Sequence, residues 1–140
     1  MTTSPVSDVN EFDDERSRAR EAALVLLYEG ATKGSDSRDL LDVAIVPHDR
    51  LVRLLVDGVE SHRSELDASI ARYSTGWSLE RMPILDLLVL RLATFELAHR
   101  SDVPTAVVID EAVEMAKRFS TDDSGRFVNG VLSSIARELR

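Results

Sequence analysis

The sequence predicts an all-α protein, and three observations lead to this fold class. Apolar residues recur at the i, i+3, i+4 and i+7 spacing of a buried helix face in most segments, and no segment shows the alternation of a half-buried strand. Breaks rich in glycine, proline, serine and aspartate separate these segments at helix-length intervals. The chain has 140 residues with 44% hydrophobic content, which is enough for one continuous core. We therefore expect a compact bundle of about seven helices in a single domain.

The first half of the chain predicts three helices. A first helix, capped by Asp13 or Asp14, is expected to run to about Ala31, because its apolar residues keep one face and glycines follow it. A short helix is expected over residues 37–46, which end before a proline. Residues 51–73 keep one apolar face for about seven turns, so we predict the longest helix of the protein there.

The second half predicts a short helix and three long ones. Residues 78–82 fit a short helix that stops before Pro83. Residues 84–98 are apolar almost all round, which is typical of a central helix packed on several sides. Thr105 is expected to cap the next helix, and the "STDDS" stretch at 120–124 is expected to cap the last one.

Charge and composition exclude several classes of protein. The net charge is −8, and residues 1–15 carry five acidic residues and no basic one, so the remainder is closer to neutral. The acidic residues 1–13 predict a disordered leader ahead of a helical domain over 14–140. There is no cysteine, no apolar run long enough to span a bilayer and no secretory signal, which favours a cytoplasmic protein without a membrane partner.

The sequence gives little support for a catalytic site or a metal site. Glu96 and His99 form one Glu-x-x-His pair, but a di-iron bundle needs a second pair, and the chain has three histidines in all. Acidic clusters at 110–114 and 122–123 lie near helix starts, where the helix dipole favours negative charge without any catalytic role. No phosphate-binding loop or nucleophile elbow occurs. We therefore expect no enzyme activity, no cofactor and no metal.

Two basic and aromatic features remain unexplained by packing. Arg16, Arg18 and Arg20 open the first helix, where positive charge opposes the helix dipole unless a partner anion is bound. Phe127 lies about 80° from the middle of the apolar face of the last helix, beside Arg126, so its ring is expected to be half exposed. Basic groups with exposed aromatic rings are typical of proteins that bind single-stranded RNA.

Three sequence blocks, in order, resemble the NusB family of bacterial transcription antitermination factors. The first is "AREAALVLLY" at 19–28, and the second is "LRLATFEL" at 90–97. The third and most specific is "SDVPTAVVIDEAVEMAKRFSTDDSGRFVNGVL" at 101–132. The resemblance covers residues 16 to about 135, most of the chain.

The resemblance implies a fold of two three-helix bundles plus an extra helix, and an adaptor rather than an enzyme. Members of the family bind the single-stranded boxA element of nascent ribosomal operon RNA together with NusE, a small-subunit ribosomal protein, in an antitermination complex on RNA polymerase. An alternative is a homodimeric scaffold of the same fold with weak or lost RNA binding. A third alternative, a module of an RNA methyltransferase, is not favoured because 140 residues leave no room for a catalytic domain.

The resemblance also implies roles for particular residues. In this interpretation Phe127 stacks on a base, the arginines contact phosphates, Gly130 keeps the approach to the ring open, and Asp123 helps to set the loop. Ser17 stands where family members often have another arginine. The acidic leader is hypothesised to compete with RNA for the arginines. The expected RNA-binding residues are Arg16, Arg18, Arg20, Tyr28, Asp123, Arg126 and Phe127, and the expected NusE-binding residues are Glu80 and Asp86.

Overall fold

The computed structural model describes the backbone of residues 5–43 and 49–140, and the side chains of residues 15–42 and 49–140. Within these residues the chain forms seven α-helices and one 3-10 turn, and it has no strand. Their order is α1 Pro5–Lys33, α2 Ser37–Val43, α3 Arg50–Ser61, α4 Arg63–Tyr73, the 3-10 turn Leu79–Arg81, α5 Ile84–His99, α6 Thr105–Phe119 and α7 Asp122–Leu139.

The helices pack as two three-helix groups joined through a shared centre. Helices α1, α2 and α3 contact one another, and α5, α6 and α7 contact one another. Helix α4 packs against α5 and α7, while α5 also contacts α1 and α3. This arrangement confirms the predicted all-α class and the expected count of about seven helices.

Helix α5 is the centre of the fold because almost no face of it reaches solvent. Its residues from Asp86 to Leu97 are buried except Arg91, which is only partly exposed. A helix that is apolar on all sides stabilises the fold only when neighbouring helices cover every side. Helix α5 is covered by α1, α3, α4, α6 and α7. The prediction of a central helix over 84–98 is confirmed.

Several predicted helix boundaries differ from the structure. Helix α1 begins at Pro5, upstream of the cap predicted at Asp13 or Asp14, and at 29 residues it is the longest helix among the described residues. The disordered leader predicted at 1–13 overlaps α1, whose backbone is helical from Pro5, while residues 1–4 lie outside the described residues. Helix α2 ends at Val43, and the rest of the segment predicted to 46 lies outside the described residues.

The single helix predicted over 51–73 is wrong, because the chain breaks at His62 into α3 and α4. The backbone of His62 has φ −110° and ψ 16°, outside the helical range. The apolar face continues across this break, since Val59 and Leu66 are both fully buried. Periodicity alone could not reveal the break, because the same residues face the core on both sides of it.

The start of α7 is fixed by its N-terminal cap. Thr121 accepts a hydrogen bond from the Ser124 backbone N–H at 3.1 Å, and the Ser124 side chain in turn accepts one from the Thr121 backbone N–H. This capping box confirms the cap predicted in the 120–124 stretch. Thr105, in contrast, makes no side-chain cap, because α6 is entered from Pro104.

No helix in the described part of the chain combines the length and apolarity that a bilayer span requires.

Candidate nucleic-acid interface

An aromatic pair, Trp77 and Phe127, lies between the turn after α4 and the first turns of α7. The two ring centroids are 6.1 Å apart with the ring planes tilted by 51°, within the range of favourable aromatic contacts. Trp77 is 50% exposed, whereas Phe127 is partly buried against the core. Gly76 precedes the tryptophan with φ +85°, a conformation that favours glycine, so this turn can hold the indole at the surface.

The aromatic pair separates two open clefts. One, here the Asp86 cleft, has a volume of about 300 Å³ and is lined by the pair together with Pro83, Asp86 and the α7 cap residues. The other, here the Gly130 cleft, also has about 300 Å³ and is lined by the pair with Tyr73, Arg126 and Gly130. Both faces of the pair are therefore next to space large enough for a planar group.

The predicted residues of α7 meet at these clefts. Phe127 lies at the edge of the buried face, as its helical position indicated, and Arg126 is exposed beside it. Asp123 is exposed and lines the Asp86 cleft. A Cβ on Gly130 would have no atom within 4 Å, so any side chain added there would extend into the Gly130 cleft.

A phenol also borders the Gly130 cleft. Hydrogen bonding to Glu138 raises the pKa of Tyr73 above its ordinary value. The hydroxyl of Tyr73 therefore stays protonated at neutral pH, and this side of the cleft carries no charge from the phenol.

The two residues expected to face NusE differ sharply in exposure. Glu80 is exposed on the 3-10 turn. Asp86 is only 4% exposed, and its Oδ2 accepts a hydrogen bond from the Ser124 Oγ at 3.0 Å while its Oδ1 has no partner. The expectation that Asp86 presents itself to a partner as a surface carboxylate is therefore wrong. Asp86 instead ties the first turn of α5 to the first turn of α7 and lines the cleft between them.

Arg20 also departs from its predicted role, because it is buried. It is 3% exposed, and its Nε donates to both carboxylate oxygens of Glu96, at 3.2 and 3.1 Å. Arg100 donates to the same carboxylate at 3.4 Å. The prediction of a direct phosphate contact by Arg20 is wrong for this structure, because the guanidinium points into the interface between α1 and α5. Sequence analysis grouped Arg20 with Arg16 and Arg18 as a phosphate contact, but the ion pair with Glu96 holds it inside.

The other predicted residues of α1 remain accessible. Arg18 is exposed, and Arg16 is partly exposed at a cleft that Val107 and Glu111 of α6 also line. Tyr28 is 42% exposed, but it lies twelve residues beyond Arg16, about 18 Å along the helix. Tyr28 therefore stands apart from the arginines at the start of the described side chains.

The last turn of α6 connects the middle of α1 with the start of α7. Arg118 forms an ion pair with Glu21 of α1 and lies 5.1 Å from the centroid of the Phe119 ring, which is itself exposed. Lys117 covers Gly125 of α7, since a Cβ on that glycine would lie 2.9 Å from the lysine side chain. Lys117, Arg118 and Phe119 thus place two cations and an aromatic ring between α1 and α7.

Helix α1 is held to α6 at a second point. The Ser17 Oγ donates a hydrogen bond to Glu111 Oε1 at 2.7 Å. Ser17, which stands where an arginine is common in the family, therefore contributes a helix contact rather than charge.

The arginines of α1 and the ring of Phe127 do not share one groove. Among the described clefts, none is lined by residues of both α1 and α7. The two parts are linked by the α6 residues 117–119, which sequence reasoning missed because a basic helix C-terminus is also explained by the helix dipole. Trp77 was missed as well, although a tryptophan in the polar turn "STGW" is itself a sign of an exposed ring.

Comparison with known proteins identifies relatives over most of the chain. The sequence model of the NusB family matches residues 17–137. The Transcription antitermination protein NusB of Saccharopolyspora erythraea is 46% identical over 127 residues, covering 86% of each chain. The protein of the same name from Symbiobacterium thermophilum is 42% identical over 139 residues, covering 89% of this chain and 91% of the relative.

Solved structures show the same fold. The structure of T. maritima NusB superposes with a TM-score of 0.81 at 39% identity, covering 88% of this chain and 91% of that one. A structure described as antitermination factors NusB and NusE in complex with dsRNA superposes with a TM-score of 0.75 at 25% identity, covering 88% and 96%. Proteins of this fold thus include one that was solved with both a protein partner and RNA.

Proposed function

Because this chain belongs to the NusB family of transcription antitermination factors, we propose that it binds single-stranded, boxA-type RNA together with NusE. In this role it joins the antitermination complex on RNA polymerase at ribosomal RNA operons. The relative solved with NusE and dsRNA supports an RNA adaptor in general terms. The finer assignment depends on the surface around Trp77 and Phe127.

The observation that carries the proposal is the accessible aromatic pair between two clefts. Every nucleobase has a π-face, so a ring that borders open space can stack on it without needing a particular base. Trp77 offers a half-exposed indole, and Phe127 supports it at 6.1 Å while lining both clefts. A base in the Gly130 cleft would stack against the pair on the side where Arg126 is exposed.

Phosphate contacts are assigned to exposed cations that neighbouring contacts link from α7 through α6 to α1. Arg126 borders the Gly130 cleft, and Lys117 and Arg118 continue from it towards α1, where Arg18 is exposed. These groups follow a path along the surface, as a flexible single strand requires. Arg16 belongs to the α1 end of this path, and Arg20 supports it from inside by fixing α1 on α5.

The contact with NusE is assigned to the side of the Asp86 cleft. Glu80 is exposed on the 3-10 turn that leads into α5. Carboxylates at an interface favour a basic partner and increase its rate of association. Asp86 acts there as a positioning residue that holds the two helix starts together.

The test is an RNA titration followed by fluorescence anisotropy, with a boxA-like RNA and a scrambled RNA of the same composition. We expect the boxA-like RNA to bind more tightly, and Trp77→Ala or Phe127→Ala to weaken its binding by about 1–3 kcal/mol through lost stacking. Leu139→Ala is the matched control, because Leu139 is an exposed apolar residue at the far end of α7. It should leave the affinity unchanged.

A charge series tests the phosphate path. Arg126→Gln should reduce the slope of log K against log salt by about 0.7, the value for one phosphate contact of a single strand. Arg137→Gln removes the same charge from the opposite end of α7 and should leave the slope unchanged. Equal slopes for wild type and Arg126→Gln, or equal affinities for the two RNAs, would contradict the proposal.

NusE binding needs a separate measurement. Glu80→Lys should weaken the binding of NusE, measured by calorimetry without RNA, while the RNA affinity of the variant alone should not fall. Glu114→Gln, an exposed carboxylate on α6, is the control. If the protein binds neither RNA nor NusE but sediments as a dimer, the homodimeric scaffold is the correct interpretation.

A further inference from the structure

Three potential metal ligands meet where the α3–α4 junction packs on the last turn of α5. They are His62 at the junction, Glu65 in the first turn of α4 and His99 at the end of α5. One ligand atom from each lies within 4.8 Å of the other two, and His99 Nε2 is 3.0 Å from Glu65 Oε1. None of these residues lines the two clefts beside the aromatic pair.

The tautomer of His62 is fixed by a backbone carbonyl. Its Nδ1 lies 2.8 Å from the Gly58 carbonyl oxygen, which can only accept, so Nδ1 carries the proton. The lone pair is therefore on Nε2. Histidines that bind metals usually donate their second ring N–H to a carbonyl or carboxylate in this way, which orients the ring and raises its basicity.

The two imidazole rings are also held in place before any ligand arrives. Their centroids are 4.2 Å apart with the planes tilted by 38°. The Phe95 ring lies 5.8 Å from His62 and 5.4 Å from His99, so an apolar group supports both. Ordered imidazoles lose little conformational freedom when a metal binds.

We propose that His62, Glu65 and His99 form a binding site for a divalent transition-metal ion of the zinc type. Two imidazoles and one carboxylate suit Zn²⁺, whereas Mg²⁺ and Ca²⁺ prefer oxygen ligands only. The fourth position is open to water, because the Glu65 side chain is 53% exposed and that of His99 33% exposed.

The distances are close to those that the ion requires. With metal–ligand bonds of about 2.0–2.2 Å, the ligand atoms of a tetrahedral site lie about 3.3 Å apart. The pair of His99 and Glu65 already meets this value at 3.0 Å. The remaining separations, of up to 4.8 Å, must close, and the exposed Glu65 side chain is free enough to move. The ion would take the place of the hydrogen bond between His99 Nε2 and Glu65, with the ring proton of the neutral imidazole on Nδ1 and the Nε2 lone pair directed at the metal.

The inference goes beyond RNA binding and can be tested apart from it. Full-length protein is treated with a chelator, dialysed and titrated with ZnCl₂ by calorimetry, and Co²⁺ is titrated in parallel by visible absorption. We expect one ion per chain, a ligand-field spectrum with Co²⁺, and a higher melting temperature with Zn²⁺ because the ion joins α4 to α5. MgCl₂ should bind too weakly to compete.

Variants assign the ligands. His99→Ala and Glu65→Gln should each weaken Zn²⁺ binding by about tenfold or more, since even changes to residues behind a ligand cost about 10–100-fold. Both side chains are accessible, so these two variants should fold, and circular dichroism checks this. His62→Gln is a third variant, which the assignment does not require.

Two controls separate this site from general affinity for histidine or carboxylate. His48→Gln removes the third histidine of the chain, and Glu114→Gln removes an exposed carboxylate of α6. Both should bind Zn²⁺ like wild type. Absence of a saturable site in the folded wild type, or an equal loss in His48→Gln and His99→Ala, would overturn the proposal.

Discussion

The buried ion pair between Arg20 and Glu96 allows a sharp prediction about stability. Arg20→Met removes the guanidinium and keeps an unbranched apolar side chain of similar length. The carboxylate of Glu96, in a residue only 2% exposed, then loses its main partner inside the protein. We expect Arg20→Met to lower the free energy of unfolding, and to change RNA binding only through loss of folded protein.

The magnitude follows from the geometry of the pair. Removing one member of a buried ion pair costs about 3–5 kcal/mol, because an uncompensated charge stays in the interior. Here Arg100 also reaches the Glu96 carboxylate at 3.4 Å, and it compensates part of the charge that Arg20 leaves. The Nη2 of Arg20 has no hydrogen-bond partner in the described structure, so its removal costs nothing further. We therefore expect a loss of about 3 kcal/mol, a large share of a typical stability of about 5–15 kcal/mol.

The assay is urea unfolding followed by circular dichroism, arranged as a double-mutant cycle. Glu96→Leu alone should also destabilise the protein, because it leaves Arg20 buried without a carboxylate. The double variant Arg20→Met with Glu96→Leu should recover part of the loss, since an apolar pair removes both desolvation penalties. Arg118→Met is the control, because Arg118 pairs with Glu21 at the surface and such pairs contribute about 0–1 kcal/mol.

One result would refute this reasoning. If Arg20→Met keeps the midpoint of the wild type but loses RNA affinity and salt dependence, the guanidinium acts on phosphate and not on Glu96. The original surface interpretation of Arg20 would then be correct.

Three further predictions concern glycines and the leader. Gly58→Ala should destabilise the protein by about 1–3 kcal/mol in urea unfolding, because its Cβ would lie 2.1 Å from the Phe95 ring in a packed core. Gly130→Ala should instead stabilise the protein by about 0.5–1 kcal/mol in the same assay, since the position is open and helical. Gly130→Phe should block the Gly130 cleft and weaken RNA binding, as measured by anisotropy. Deleting residues 1–13 should tighten RNA binding at low salt if the acidic leader competes for the arginines; an unchanged affinity would reject that hypothesis.

Much of the fold could be predicted from the sequence because buried apolar residues recur with the period of the helix. The apolar 84–98 segment identified the central helix, and the 120–124 stretch identified a cap that the Thr121 and Ser124 side chains form. The half-buried position of Phe127 followed from its angle to the apolar face. Each of these features depends on neighbours in the same helix or turn, so local spacing contains the necessary information.

The sequence by itself thus determined the all-helical class, the family and the α7 part of the candidate interface. Only the tertiary structure decided that Arg20 and Asp86 are buried. Their partners, Glu96 and Ser124, come from helices distant in sequence. Only the tertiary structure brought Trp77 beside Phe127 and His62 beside His99. The physical reason is that periodicity tells which side of a helix is buried, whereas the groups that meet there depend on how the helices pack against one another.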